Sequence, residues 1–170
     1  IVAKFQHSYI SSSKKLKDLI IPLNPPPNAQ LFTADAVSMY TNIHTASALR
    51  IIGDYLQRNS QRFPSVPYEA VMVALSLIMT KNVFRFGDTS WHQLKGTAIG
   101  TPPAVPYATL YYAICEEKFV HASPNLYFYR RYINDVFAIW LPCATNSDDN
   151  EAWTNLRETM NDHYGLKWTF

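Results

Sequence analysis

The sequence predicts an α+β domain built on a mainly antiparallel sheet. Short runs rich in β-branched and aromatic residues stand at 30–40, 82–93, 130–140 and 166–170. Segments with apolar residues at helical spacing separate them. Two of the runs fold back on themselves through tight turns, which joins antiparallel strands. The order is strand, helices, hairpin, helix, hairpin, helix, strand.

The totals agree with such a domain. At 170 residues one domain is the prior. The chain is 48% hydrophobic and 16% charged, which supplies a core and excludes a disordered chain. A net charge of +2 is too small to argue for nucleic acid by itself. Cys115 and Cys143 have neither metal spacing nor the density of a disulfide scaffold, and Cys115 reads as an inert core thiol. A reducing, intracellular compartment fits. The most apolar window, 66–80, contains Pro67 and Glu69 and is too short to span a bilayer. No signal peptide, repeat, heptad or Gly-rich phosphate loop is visible within these 170 residues. The abrupt ends at Ile1 and Phe170 are those expected of an excised part of a larger protein.

The elements follow in order. Ser11-Ser12-Ser13 caps a helix through Ile20, whose lysines 14, 15 and 17 form a solvated face. Pro25-Pro26-Pro27 makes a rigid linker. A strand then runs from Gln30 into Asp35. Thr45 caps a helix with Leu49, Ile52 and Leu56 at helical spacing, and Ser65 and Pro67 open another through Ala70, Val71, Ala74, Leu77 and Ile78. The run 82–93 is a hairpin turning at Gly87-Asp88. A small-residue loop, 95–103, leads into a helix to about Val120. Pro106 is tolerable there only in the first turn, and apolar residues on nearly all sides mark the helix as buried. Residues 146–150 read as a polar loop, followed by a helix through Trp153, Leu156 and Met160 and a last strand at 166–170.

The run Arg130 to Trp140 organises the rest. It is a hairpin whose tight turn is Asn134-Asp135, residue types that tolerate left-handed backbone. A carboxylate at such a tip is displayed rigidly. A plain hairpin with a polar turn has the same appearance. The second carboxylate of interest, Asp35, ends the first strand. Neighbouring antiparallel strands would bring Asp35 and Asp135 together, and paired carboxylates need a cation, for which hard oxygen ligands select Mg²⁺. Two such ions activate a 3′-hydroxyl and stabilise leaving pyrophosphate. Tyr40, five residues on, is either a core aromatic or a ring beneath a nucleotide sugar, where it blocks a 2′-hydroxyl. Gly96 and Gly100 either admit close approach of a nucleotide or template, or serve a turn and a helix entry.

Four segments resemble reverse transcriptases, most closely those of Penelope-like retroelements. Asp35-Ala36-Val37-Ser38-Met39-Tyr40-Thr41-Asn42-Ile43 resembles their first catalytic motif. Gln93 to Pro102 resembles Gln-x-x-Gly-Thr-Ala-Met-Gly-Ser-Pro, and Arg131 to Asp135 resembles Arg-Tyr-x-Asp-Asp. Leu166 to Phe170 resembles the strand after the palm's last helix. The resemblance implies a polymerase palm with a ferredoxin-like core. Residues 1–30 would connect fingers to palm, 31–170 would form the palm core, and fingers and thumb would lie largely outside 1–170. It implies two Mg²⁺ ions, or Mn²⁺, on Asp35, Asp135 and the carbonyl of Ala36, with Asn134 as a weak third side chain. Tyr40, Gln93, Gly96 and Gly100 would bind the nucleotide and template side. Lys167 would donate a proton to pyrophosphate, or is an exposed strand lysine. The implied partners are an RNA or DNA template with primer, deoxynucleoside triphosphates, and the fingers and thumb of the parent chain. No membrane is involved, and a eukaryotic retroelement places the protein in the nucleus.

The departures matter. Asn134 stands where the family has Asp, which removes one negative charge from the site. His44, Ile99, Thr101 and Pro103 are also off-pattern, as in a decaying mobile-element copy. One alternative is therefore a catalytically inactive palm kept for nucleic-acid binding or structure. Another is a nucleotidyl cyclase, against which the Gln-x-x-Gly loop and Tyr40 speak.

Overall fold

A computed structural model describes residues 8–62, 64–162 and 166–170. The chain packs as two compact units, one formed by 1–37 with 115–170, the other by 38–114. The fold is mixed α and β with antiparallel sheets and packed helices.

The first unit holds a four-stranded sheet in the order β4-β5-β1-β6, all neighbours antiparallel. The strands are β1 (Gln30–Ala36), β4 (Leu126–Tyr132), β5 (Asp135–Trp140) and β6 (Trp168–Thr169). Side chains alternate across it. One face carries Ala34, Ala36, Val136, Ala138, Trp140, Tyr129, Arg131 and Trp168, all buried. The last helix, α6 (Asn146–Asp162), covers part of this face: its Trp153 ring meets Phe32, Trp140 and Phe170 at 4.8, 5.3 and 5.7 Å. Phe119, on the helix α5 (Ala104–Ala122), packs edge-on against Tyr129. The opposite face, with Thr33, Asp35, Tyr132 and Asp135, is more open.

The first helix, α1 (Ser13–Ile20), is capped by the Ser12 hydroxyl, which accepts from Lys15 N–H, and its lysines are exposed. The helix α6 starts earlier than the polar composition of 146–150 predicts. Its first turn takes Asp148 and Asp149, which favour the positive end of a helix, and the Thr145 hydroxyl accepts from Asp148 N–H. The Asp149 carboxylate also accepts from Trp140 Nε1 and Cys143 N, both at 2.9 Å.

The second unit contains a short turn of helix, α2 (Met39–Asn42), then α3 (Thr45–Arg58), a 3₁₀ turn (Ser60–Arg62) and α4 (Tyr68–Thr80). It also holds the hairpin β2 (Val83–Phe86) and β3 (Thr89–His92) and the first part of α5. The cap of α3 is His44 and not Thr45: the imidazole accepts from Ser47 N–H, and Thr45 is the first helical residue, its hydroxyl turned to Gly96 O. Helix α4 buries only Met79; its apolar Val73 and Leu77 stay exposed at 60% and 56%. The helix α5 is buried on nearly every side, as its composition predicts, with Cys115 among its buried residues. Pro106 falls in its first turn. Among the described residues no helix is long and apolar enough to cross a membrane.

Candidate active site

The register of β1 on β5 sets Asp35 directly opposite Asp135. Residues so paired point to the same face, with Cβ atoms about 5 Å apart. Asp35 is half-buried and Asp135 exposed. The turn before Asp135 lies one residue earlier than the sequence predicts. Tyr132 pairs with Asp135, so the two central residues are Ile133 and Asn134, and Asp135 begins β5. The ladder of β4 on β5 runs past Arg131–Val136 to Tyr132–Asp135, which leaves Ile133 and Asn134 to make the turn. The cost falls on Ile133, which has φ +53, an unfavourable value for a β-branched residue.

Asn134 turns its side chain across to β1, and its Nδ2 donates to Asp35 Oδ1 at 2.5 Å. Its backbone carbonyl accepts from Ala36 N–H at 3.0 Å. Two carboxylates facing each other repel, and the amide donor offsets part of that on Asp35. Among the described residues no three acids, histidines or cysteines gather as a ready metal centre. The donor set brought together is two carboxylates and an amide. That chemistry suits a hard divalent cation, one charge short of a three-acid site. The amide would present its oxygen by turning over.

A buried network holds the turn from behind. Arg131 and Glu116 are 0% and 1% exposed. Arg131 Nε donates to Glu116 Oε1 at 2.5 Å, and its Nη1 donates to the carbonyl of Ile133. The Tyr129 hydroxyl donates to the same Glu116 oxygen at 2.7 Å, and Ser8 Oγ to the other at 3.2 Å. Burial, and then the Glu116 charge, push the Tyr129 phenol well above its ordinary value. The backbone of Arg131 also exchanges hydrogen bonds with Ser8 and Ile10. Sequence reasoning named Arg131 only as part of a motif and missed Glu116. The available signal was weak: Glu116 directly follows the apolar run through Cys115, beside the charged Glu117 and Lys118.

The carboxylates open into a cleft of about 470 Å³. Thr33, Arg130, Tyr132, Phe137 and Thr169 share its wall, with Ile10 and Leu16 at its side. Lys167 is exposed just before β6, its carbonyl accepting from Val37 N–H at 2.8 Å, and is not among the lining residues.

The other predicted residues lie within 38–114. Gly96 has φ +82, and a Cβ there would meet Thr41 Cα at 2.8 Å and Tyr40 O at 2.9 Å. The close approach it permits is to the chain's own backbone. Gly96 N–H donates to Ile43 O, and Thr97 N–H to Tyr40 O. So Tyr40, half-buried, and Gly96 are brought together. Gly100 has φ +97 in open space, and Gln93 folds its amide onto Lys95 O at 2.9 Å.

Solved structures share this fold. An apo telomerase from Candida tropicalis truncated from the C-terminal domain superposes with TM-score 0.64 at 12% identity, covering 95% of this chain and 35% of that one. A Candida albicans telomerase in complex with a TWJ fragment of telomeric RNA gives 0.69 at 11% identity, over 95% and 31%. A further apo telomerase from Candida tropicalis gives 0.66 at 10%, over 95% and 32%. The chain shares its fold with part of these telomerases and spans about a third of their length. No family model and no curated protein matches the sequence.

Proposed function

We propose that this chain is the palm of an RNA-directed DNA polymerase, of the retroelement kind that its four motifs resemble. The telomerase likeness supports a reverse-transcriptase-like polymerase domain and does not discriminate among kinds. The observation that carries the reading is the cross-strand pair Asp35–Asp135 on the open face of an antiparallel sheet. Its partners are a primed RNA or DNA template and deoxynucleoside triphosphates, inside the cell.

Asp35, Asp135 and the Ala36 carbonyl are the groups to hold Mg²⁺ or Mn²⁺, whose charge would favour ionisation of the primer 3′-hydroxyl and departure of pyrophosphate. The chain's own contribution is placement. The buried Glu116–Arg131 pair fixes the turn, and the turn sets Asn134 and Asp135 opposite Asp35. Tyr132 and Phe137 form an apolar floor beside the acids. Tyr40 is the residue proposed to reject a 2′-hydroxyl, with Gln93, Gly96 and Gly100 shaping the loop around it. Lys167 is the candidate donor to pyrophosphate.

The second reading, an inactive palm, is favoured by one contact: Asn134 Nδ2 already satisfies Asp35 without any cation. Primer extension by the chain joined to fingers and thumb separates the two. The polymerase reading expects Mn²⁺-supported addition, raised by Asn134→Asp about 10²-fold or more, the range of other preorganised electrostatic groups. Asp35→Asn should abolish it. Nucleic-acid binding with no addition by either form favours the inactive palm.

A further inference from the structure

We propose that Arg130 is a phosphate-binding residue, which receives a phosphodiester of the nucleic-acid strand as it leaves the Asp35–Asp135 pair along β4. This rests on the polymerase reading of the cleft.

Arg130 and Arg131 are consecutive on β4 and so face opposite sides of the sheet. Arg131 is buried and satisfied by Glu116. Arg130 faces the cleft with the carboxylates. It pairs across the sheet with Phe137, and Tyr132, two residues on, pairs with Asp135. Arg130 and Asp135 are therefore diagonal neighbours, about 7–8 Å apart with Cβ atoms somewhat closer. The guanidinium itself is set back along β4 over Phe128, on the side away from Asp135.

The guanidinium is held and not adrift. Its central carbon lies 4.6 Å from the Phe128 ring centroid, and Nη1 donates to Tyr129 O at 2.6 Å. Among the described residues the other N–H groups have no hydrogen-bond partner, and the side chain lines the cleft. Among the described residues no carboxylate pairs with it. A half-buried cation without an anion is costly, and burial pushes its pKa below the ordinary value. A planar fork stacked on an aromatic ring, with free N–H edges, matches phosphate oxygens. A free anion would be repelled by the neighbouring acids. A phosphodiester belongs to a strand whose other contacts hold it there.

The test uses the chain joined to fingers and thumb, a recessed-end primer–template labelled for anisotropy, and a copy whose last internucleotide link in the primer is an uncharged methylphosphonate. The native chain should bind the neutral-link duplex about tenfold more weakly, the worth of a hydrogen bond to a charged group. Arg130→Met should bind the natural duplex about tenfold more weakly and ignore the methylphosphonate. Its dependence of log affinity on log salt should flatten by about one unit. Arg130→Lys should recover part of the loss. Scanning the neutral link along the primer tests the native chain without any variant. Equal sensitivity in native and Arg130→Met chains, or a loss only at distant links, overturns the assignment and leaves the polymerase reading intact. Failure of the native chain, joined to fingers and thumb, to bind either duplex counts against the polymerase reading, and the assignment falls with it.

Discussion

The described residues form two antiparallel hairpins, β2–β3 and β4–β5, and they are built on opposite plans. Every residue of β2 and β3 is exposed, including Phe86 at 78% and Trp91 at 54%. Its turn at Gly87-Asp88 uses a glycine at φ +60, which carries no strain, and its one ion pair, Arg85–Asp88, is solvated. In β4–β5 one face is buried and the turn is closed by a β-branched residue at φ +53. A buried guanidinium grips the carbonyl of that residue. A hairpin that only connects can take the relaxed turn. A hairpin that must place Asn134 and Asp135 opposite Asp35 holds an unfavourable turn, and the surrounding packing keeps it there.

Breaking the support gives the largest contrast. Arg131→Met should destabilise the chain by about 3–5 kcal/mol, because Glu116 remains buried without its cation. Arg85→Met in the other hairpin should change stability by less than about 0.5 kcal/mol, as exposed sites do. Urea melts of both variants check this. Gly96→Ala should cost about 1–3 kcal/mol, since φ +82 and the contact at Thr41 both oppose a Cβ. Ile133→Gly should act the other way, stabilising by about 1 kcal/mol as the left-handed penalty is removed. The hydrogen bond from Asn134 to Asp35 should then loosen, which the Asn134 side-chain amide resonance would report.

The smallest effect is on the pH profile. Unfolded Tyr129 ionises near its ordinary value of 10.0, while folded Tyr129 stays neutral well above it. Above that value the unfolded state binds fewer protons, so stability is full below pH 10 and falls as pH rises further. Tyr129→Phe should flatten that alkaline fall, seen by melting at successive pH values.

Much of this was legible in the sequence, because apolar period and turn chemistry are local. The strand ending in Asp35, the buried helix around Cys115 and both hairpins follow from residue pattern alone. What was missed depends on tertiary pairing. The turn moved from Asn134-Asp135 to Ile133-Asn134 because the ladder, and not local preference, chose the register. Residues 146–150 joined a helix because their acids suit its first turn. Helix α4 has an apolar pattern, yet most of it is exposed, so composition alone could not place it. Asp35 and Asp135 could be named from the sequence. The Asn134–Asp35 contact and the Glu116–Arg131 support could not, since each joins residues from different elements.

The central claim is that Asp35, Asn134 and Asp135 form one cation site, and Asn134→Asp tests it most directly. The added charge sits beside two carboxylates, so the metal-free variant should melt lower than the native chain through repulsion. With Mg²⁺ or Mn²⁺ the order should reverse, because each negative ligand strengthens binding and binding stabilises the folded state. The account predicts opposite signs, a loss without metal and a larger metal-dependent rise in Tm for the variant. A metal-dependent shift in Tm that is the same for both forms would contradict it.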